Sequence, residues 1–135
     1  MKVLVDTPIW SLAFRKKIGN VDNIAIKNLI ELIQDRRIAI IGPVRQEVLS
    51  GISDKNKFYE IKDKMSFFSD YSIKTDDYEF AAECSNECRR NGIQGSHTDF
   101  LICAMAIKNG WEIFTEDADF FDYEKYIPIK MYVLR

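Results

Sequence analysis

Histidine, cysteine, proline and glycine are all scarce in this chain. Its 135 residues include one histidine, three cysteines, three prolines and six glycines. The cysteines show no zinc-like pairing with the single histidine, so we expect three reduced thiols that serve packing. No linker-like stretch, internal repeat or low-complexity tract divides the chain. We therefore expect one domain over residues 1–135.

Long apolar runs and an excess of basic charge are also absent. No apolar stretch approaches the roughly 20 residues that cross a bilayer. The first residues, MKVLVDT, show neither the apolar core nor the cleavage site of a secretory signal, so we expect a cytoplasmic protein. The net charge of −2 argues against binding nucleic acid through overall basicity. It leaves room for local basic clusters around an acidic centre.

Short apolar runs alternate with helical patterns along the chain. The predicted strands are Lys2–Val5, Arg37–Ile41, Phe67–Ile73, Trp111–Phe114 and Ile129–Leu134. Between them lie segments with apolar residues at helical spacing or with residues typical of helix ends. Strands that alternate with helices predict an open α/β sheet of about five parallel strands, with helices on both faces.

Acidic residues follow two of the predicted strands. Asp6 ends the first strand, and the segment TEDADF (115–120) directly follows the fourth. Open parallel sheets bind their ligands beyond the carboxyl ends of the strands. These acids are therefore expected at a ligand-binding edge.

Two further acids lie on the apolar faces of predicted helices. Glu47 shares a face with Val48, and Asp99 shares a face with Ile102. A charge on a sheet-facing surface is costly unless a partner neutralises it. Asp99 also lies in the first turn of its helix, close to the strand ends. We expect one rim to gather the acids Asp6, Glu47, Asp99 and Asp117, with Asp119 as a fifth candidate.

A cluster of four carboxylates requires a counter-charge. Neighbouring carboxylates raise one another's pKa, so they cannot all stay ionised unaided. A divalent cation removes this difficulty, and oxygen ligands favour Mg²⁺ or Mn²⁺ over Zn²⁺. The natural chemistry of such an ion is phosphodiester hydrolysis, because it activates water and stabilises the leaving oxygen. The acids thus predict a metal-dependent nuclease.

Four segments carry a resemblance to a known family. They are VLVDTPIW (3–10), QEVLSG (46–51), TDFLICAMA (98–106) and TEDADF (115–120). In content and order they resemble the PIN-domain family, and within it the small VapC-like toxins of toxin–antitoxin pairs. The resemblance implies a three-layer α/β/α sandwich with a short parallel sheet, and a Mg²⁺-dependent endoribonuclease site. The third segment departs slightly, since LICAMA replaces a more Ala-rich stretch.

The resemblance also implies roles for individual residues and for partners. The catalytic acids would be Asp6, Glu47, Asp99 and Asp117, and three of them, Asp6, Asp99 and Asp117, would hold the metal. Supporting residues would be Thr7, Thr115 and Asp119. The resemblance further implies an RNA substrate, a homodimer, and a cognate antitoxin that holds the enzyme inactive.

Each acid also has a simpler interpretation. Asp6 could cap the following helix. Glu47 could pair with Arg45 or Arg36 instead of a metal. Asp99 could complement the dipole of its helix, although its inward face favours the site.

For other polar residues near the predicted site, the evidence for a catalytic or RNA-binding role is weaker. We leave His97 out of the catalytic set, because a lone loop histidine is more often a bystander. Glu116 is interpreted as solvated. Phosphate contacts with RNA are expected from Arg15, Lys16 and Lys17, with Arg89–Arg90 as a second candidate, although such clusters often form solvated helix ends.

Three other functions share parts of this pattern. A phosphoacceptor signalling domain gathers acids at the same edge, but it normally has adjacent acids after the first strand and a lysine near the last. A non-catalytic interaction module could use the same fold. A housekeeping RNA-processing or DNA-acting PIN nuclease would share the site itself.

Overall fold

The computed structural model describes residues 1–15 and 23–135. The predicted phosphate contacts Lys16 and Lys17 lie outside these residues. In chain order the elements are β1 (Val3–Val5), α1 (Thr7–Arg15), α2 (Ile24–Gln34), β2 (Ile38–Ala39), α3 (Gly42–Ser50), α4 (Lys55–Met65), α5 (Thr75–Arg90), α6 (His97–Asn109), β3 (Glu112–Phe114), α7 (Asp119–Glu124) and β4 (Lys130–Met131). None of the helices in these two ranges combines the length and hydrophobicity that a bilayer crossing requires.

The strands form one parallel sheet in the order β2-β1-β3-β4. Val3, Leu4 and Val5 in the central strand β1 are all completely buried. Because successive side chains point to opposite faces, helices must cover both faces of the sheet. The predicted α/β fold with a parallel sheet is confirmed.

The helices pack in two groups around this sheet. Helix α1 contacts α2 and α3, and α3 contacts α4, while α5 packs along α6 and α6 contacts β3. Between α5 and α6 lie three free, buried thiols, those of Cys84, Cys88 and Cys103. Burial raises the pKa of the Cys84 thiol to about 11, so this thiol stays protonated and serves packing.

The predicted strand at 67–73 is wrong, and the sheet of the described chain has four strands instead of five. The segment makes a single strand-like bond, from Tyr71 N–H to the carbonyl of Ile40 at 2.9 Å. The guanidinium of Arg45 binds the carbonyls of Met65 and Phe68. Phe67 is 87% exposed, so an additional strand here would bury little apolar surface.

The short helix α7 was not predicted from the sequence. It begins at Asp119, inside the acidic segment TEDADF (115–120). Its residues Phe120 and Tyr123 are three positions apart, on one helical face, and both are completely buried. This helix brings Tyr123 to the acidic edge of the sheet.

Candidate active site

The ends of β1 and β3 place Asp6 beside Thr115. Val5 and Phe114 are register partners, and Asp6 N–H donates to the Phe114 carbonyl at 2.9 Å. Thr115 Oγ1 donates to Asp6 Oδ2 at 2.7 Å, and Thr7 N–H donates to Asp6 Oδ1 at 2.8 Å. Both oxygens of this carboxylate, in a residue only 4% exposed, are therefore oriented by the fold. The bond to Thr7 shows that Asp6 also satisfies a donor in the first turn of α1.

Helix α3 carries Glu47 to the same edge. Glu47 is exposed, and its Oε1 accepts a hydrogen bond of 2.7 Å from Thr7 Oγ1. The alternative partner Arg45 instead pairs with Asp70 at 3.0 Å. None of the ion pairs among the residues that the structure describes includes Glu47. Its carboxylate therefore carries no arginine or lysine counter-charge there.

The first turn of α6 supplies Asp99. Ser96 caps the helix by accepting a hydrogen bond of 3.1 Å from Asp99 N–H. The half-buried carboxylate accepts a hydrogen bond of 2.7 Å, at Oδ2, from the hydroxyl of Tyr123. Ile102 and Cys103 on the same helical face are completely buried. Asp99 thus points inward along the buried side of its helix.

The loop after β3 positions Asp117. Its N–H donates to Thr115 Oγ1 at 3.0 Å, and its Oδ1 accepts from Asp119 N–H at 2.9 Å. Asp117 is half-buried, whereas Glu116 and Asp119 are exposed. Asp119 contacts Asp117 through its backbone, at the start of α7.

All four predicted catalytic acids line one open cleft of about 650 Å³. Its acidic lining residues are Asp6, Glu47, Asp99 and Asp117. Thr7, Gln46 and Thr98 add polar atoms to the wall. Residues from four separate parts of the chain therefore converge beyond the carboxyl ends of the strands.

Burial and repulsion from neighbouring acids perturb the titration of Asp6 and Asp99. Burial raises the pKa of Asp6 from 3.8 to about 6, and the charges of Asp99 and Glu47 add to the rise. Burial also raises the pKa of Asp99, again with repulsion from Asp117 and Glu47. The hydrogen bonds that both carboxylates accept act in the opposite direction. Asp6 and Asp99 are therefore both subject to the charges of neighbouring acids, as expected for groups that share one site.

The donor set of the cleft fits a hydrated hard cation. Within residues 1–15 and 23–135, no three His, Cys, Asp or Glu side chains gather closely enough to surround a metal ion. Mg²⁺ usually keeps several of its waters and binds one or two carboxylates directly. Carboxylate and hydroxyl oxygens line the cleft, and cysteine and histidine are missing from its wall. This chemistry suits Mg²⁺ or Mn²⁺ and differs from the Cys/His sets of zinc sites.

Sequence reasoning missed Tyr123 as a residue of the site. The available signal was the spacing of Phe120 and Tyr123 after the acidic segment, which indicates a short helix next to Asp117. His97, which the sequence analysis left out, is exposed and lies outside the cleft wall.

Among the described residues, those predicted to contact RNA lie on two different helices, α1 and α5. Arg15 is exposed at the end of α1, where its Nε donates to the Ser11 carbonyl at 3.2 Å. Arg90 pairs with Glu87 at 2.7 Å on the surface of α5. A role of Arg15 in binding phosphate stays a prediction.

The fold and the acidic cleft agree with the PIN-domain family that the sequence resembles. The model of the PIN domain matches residues 3–126, and this chain belongs to that family. Two similar relatives are VapC ribonuclease Mb1587 of Mycobacterium bovis and ribonuclease VapC11 of Mycobacterium tuberculosis. Each is 31% identical over 120 residues, which cover 87% of this chain and 88% of the relative.

Solved structures with low sequence identity share the same fold. FitAcB from Neisseria gonorrhoeae superposes with a TM-score of 0.77 at 15% identity, covering 97% of this chain and 96% of its own. VapBC2 from Rickettsia felis, solved with a DNA fragment from its promoter, has a TM-score of 0.78 at 19% identity. The match covers 98% of each chain.

Proposed function

We propose that this protein is a Mg²⁺-dependent endoribonuclease and the toxin of a toxin–antitoxin pair. The observation that carries the proposal is the convergence of four carboxylates in one cleft beyond the strand ends. The similarity to relatives named VapC ribonucleases supports RNA as the substrate. A phosphoacceptor domain fits less well, because only one acid follows β1 and one cleft acid comes from α3.

The acids alone would repel a phosphodiester, so the cleft needs a cation before it can bind RNA. When bound, Mg²⁺ would supply a Lewis acid that lowers the pKa of water and stabilises charge at the leaving oxygen. Asp6, Asp99 and Asp117 are the residues that would hold it, partly through its bound waters, because the three carboxylates do not close around a single point. The hydrogen bonds to Asp6 and Asp99 orient both carboxylates before any ligand arrives, which reduces the reorganisation needed at the moment of reaction.

Glu47 has a different position from the other three acids. It is the exposed member of the cluster, and Thr7 Oγ1 occupies only its Oε1. We assign Oε2 to accept a hydrogen bond from the attacking water, which aligns this water with the phosphorus. Proton acceptance by a positioned carboxylate is general base catalysis.

The proposed biological setting follows from the same family membership. The substrate is RNA in a single-stranded loop, where bases are open to recognition. The enzyme is a cytoplasmic homodimer, and its cognate antitoxin inhibits it. An arginine of the antitoxin would form charge-assisted hydrogen bonds with the acid cluster. Light scattering tests the dimer, and co-purification with the product of a neighbouring reading frame tests the antitoxin.

The proposal is tested by cleavage of labelled single-stranded RNA and of DNA with the same sequence. The wild type is expected to cleave RNA in MgCl₂ and to stop in excess EDTA. Asp6→Asn and Asp99→Asn should lose cleavage and retain the fold. Asp122→Asn is the matched control, because Asp122 pairs with Lys125 on the surface and does not line the cleft.

Two results would overturn this assignment. Cleavage by Asp99→Asn at the wild-type rate would show that the acid cluster is not the site. Preference for DNA over RNA would favour the DNA-acting PIN nuclease. Mapping the cleaved ends on total RNA then identifies the target.

A further inference from the structure

Tyr123 is a completely buried polar residue whose hydroxyl contacts Asp99, a residue of the cleft wall. It donates a hydrogen bond of 2.7 Å to Asp99 Oδ2. Its ring packs against those of Phe100 and Phe120, with centroids 4.9 Å and 5.1 Å away. Because two aromatic neighbours hold the ring, the hydroxyl has little freedom to move away from Asp99.

The loop before α6 leaves space for this hydroxyl at a glycine. A Cβ atom at Gly95 would meet the Tyr123 hydroxyl, and it would lie 2.7 Å from Tyr123 Cζ and 3.0 Å from Phe100 Cε2. Real Cβ atoms essentially never come closer than 3.0 Å to another heavy atom. Any larger residue at position 95 must therefore shift either the tyrosine or the loop itself, and both changes alter the contact between the two.

Asp99 needs such a partner more than an ordinary surface acid does. It is half-buried and is repelled by Asp117 and Glu47. Such repulsion favours orientations of the carboxylate that point away from its neighbours, and a hydrogen-bond donor opposes this. The bond from Tyr123 holds Oδ2 and so fixes the orientation of this carboxylate in the cleft wall. Burial and the adjacent charge of Asp99 raise the pKa of Tyr123, so its hydroxyl remains a donor.

We propose that Tyr123 is a positioning residue that orients Asp99 toward the cation of the cleft, and that Gly95 keeps the place of its hydroxyl open. This inference rests on the proposed function. Tyr123 acts through Asp99 and does not itself touch substrate. Loss of a hydrogen-bonding partner behind a metal ligand typically lowers metal affinity or activity about 10- to 100-fold.

The direct test compares Tyr123→Phe with Tyr132→Phe. Tyr132 also donates a hydrogen bond of 2.7 Å, to Asn28 Oδ1, and it lies outside the cleft wall. Both variants keep an aromatic ring and lose one hydroxyl. Tyr123→Phe is expected to weaken Mg²⁺ binding in calorimetry and to lower kcat for RNA by about 10- to 100-fold, with KM nearly unchanged. Tyr132→Phe should keep both values.

A second pair of variants keeps Tyr123 and changes the space available beside its hydroxyl. Gly95→Ala should displace the Tyr123 hydroxyl and reduce Mg²⁺ affinity and kcat in the same direction as Tyr123→Phe. Gly42→Ala is the control, because a Cβ there would meet its nearest atom, Asp70 Oδ2, at an ordinary 3.7 Å. This pair tests the positioning role of Tyr123 even if Tyr123→Phe folds poorly.

The outcomes separate this inference from the proposed function. Wild-type Mg²⁺ affinity and kcat in both Tyr123→Phe and Gly95→Ala would overturn the positioning role. Equal losses in Tyr123→Phe and Tyr132→Phe would also overturn it, because they would indicate a general structural effect. If the wild type binds Mg²⁺ but does not cleave RNA, the proposed function fails, while the Mg²⁺ affinities still decide the role of Tyr123.

Discussion

Thr115 donates a hydrogen bond of 2.7 Å to Asp6, a residue 109 positions earlier in the chain. The same hydroxyl oxygen accepts the N–H of Asp117 at 3.0 Å. One side chain therefore connects acids that follow two neighbouring strands, β1 and β3. The parallel pairing of these strands assembles this part of the cleft, since Val5 lies opposite Phe114 at the edge of the sheet.

Removal of this hydroxyl should weaken the site. Thr115→Val deletes both hydrogen bonds, and the pKa of Asp6 should rise further because the bond from Thr115 opposes the effect of burial. A hydrogen bond to a charged group contributes about 1.5–3 kcal/mol. We expect RNA cleavage to fall at least about 10-fold. Initial rates with Thr115→Ser, which keeps the hydroxyl, should stay near the wild type; equal losses in the two variants would contradict this role.

The stability of the metal-free protein should fall as the pH rises through the titration of Asp6. Its pKa is raised from 3.8 to about 6, so the folded state binds this proton more tightly than the unfolded chain does. The resulting stabilisation is complete below pH about 4 and is lost as the pH passes 6. At about 1.4 kcal/mol per pKa unit, the loss is about 3 kcal/mol at pH 7.5.

Asp6→Asn isolates this effect because asparagine does not ionise. In EDTA, the free energy of unfolding of the wild type should fall by up to about 3 kcal/mol between pH 3.5 and pH 7.5 through the ionisation of Asp6, whereas the variant lacks this loss. The variant should therefore be more stable relative to the wild type at pH 7.5 than at pH 3.5, by up to about 3 kcal/mol. Urea denaturation at both pH values measures the difference. A difference between variant and wild type that does not change with pH would show that Asp6 titrates normally.

Glu47→Gln should abolish activity at little cost in stability. Glu47 is exposed, and glutamine can still accept the hydrogen bond from Thr7, so the melting temperature should stay within about 2 °C. Loss of a general base lowers rates by about 10²- to 10⁴-fold. The control is Glu116→Gln, an exposed neighbour of the site that lies outside the cleft wall. Similar rates in both variants would remove Glu47 from the catalytic set.

Asp117 and Asp119 should differ in their effect on metal binding. Asp117 lines the cleft, whereas the exposed Asp119 contributes its N–H to Asp117 Oδ1. Asp117→Asn should therefore weaken Mg²⁺ binding at least about 10-fold, and Asp119→Asn should change it less. Calorimetric titration of both variants gives the comparison. A larger effect at Asp119 would reverse the assignment of the two acids.

Much of this architecture could be predicted from local patterns. Apolar runs before Asp6 and Thr115 predict two strands, and parallel strands place their carboxyl ends at one edge. The helical spacing around Glu47 and Asp99 predicts inward-facing acids, and Asp99 is half-buried, whereas Glu47 is exposed at the cleft. The structure brings all four acids to one cleft, and the predicted parallel α/β fold is confirmed.

Two features that the sequence patterns did not predict depend on contacts between residues far apart in the chain. The segment 67–73 has strand-like residues, but Arg45 binds the carbonyls of Met65 and Phe68 at its start, and only one bond joins the segment to Ile40. Tyr123 becomes part of the site only because α7 folds against α6. The spacing of Phe120 and Tyr123 indicates a short helix, but no local window of sequence indicates that this helix packs against α6 or that Arg45 binds residues 20 or more positions later.

Mg²⁺ titration calorimetry on the RNA-free protein tests most directly whether the acids form a cation site. The wild type should bind Mg²⁺ with release of protons at pH 6, because the cation favours the ionised form of Asp6. The double variant Asp6→Asn, Asp99→Asn should show no binding. Undiminished binding by the double variant, or RNA cleavage by the wild type in excess EDTA without detectable Mg²⁺ binding, would contradict the account.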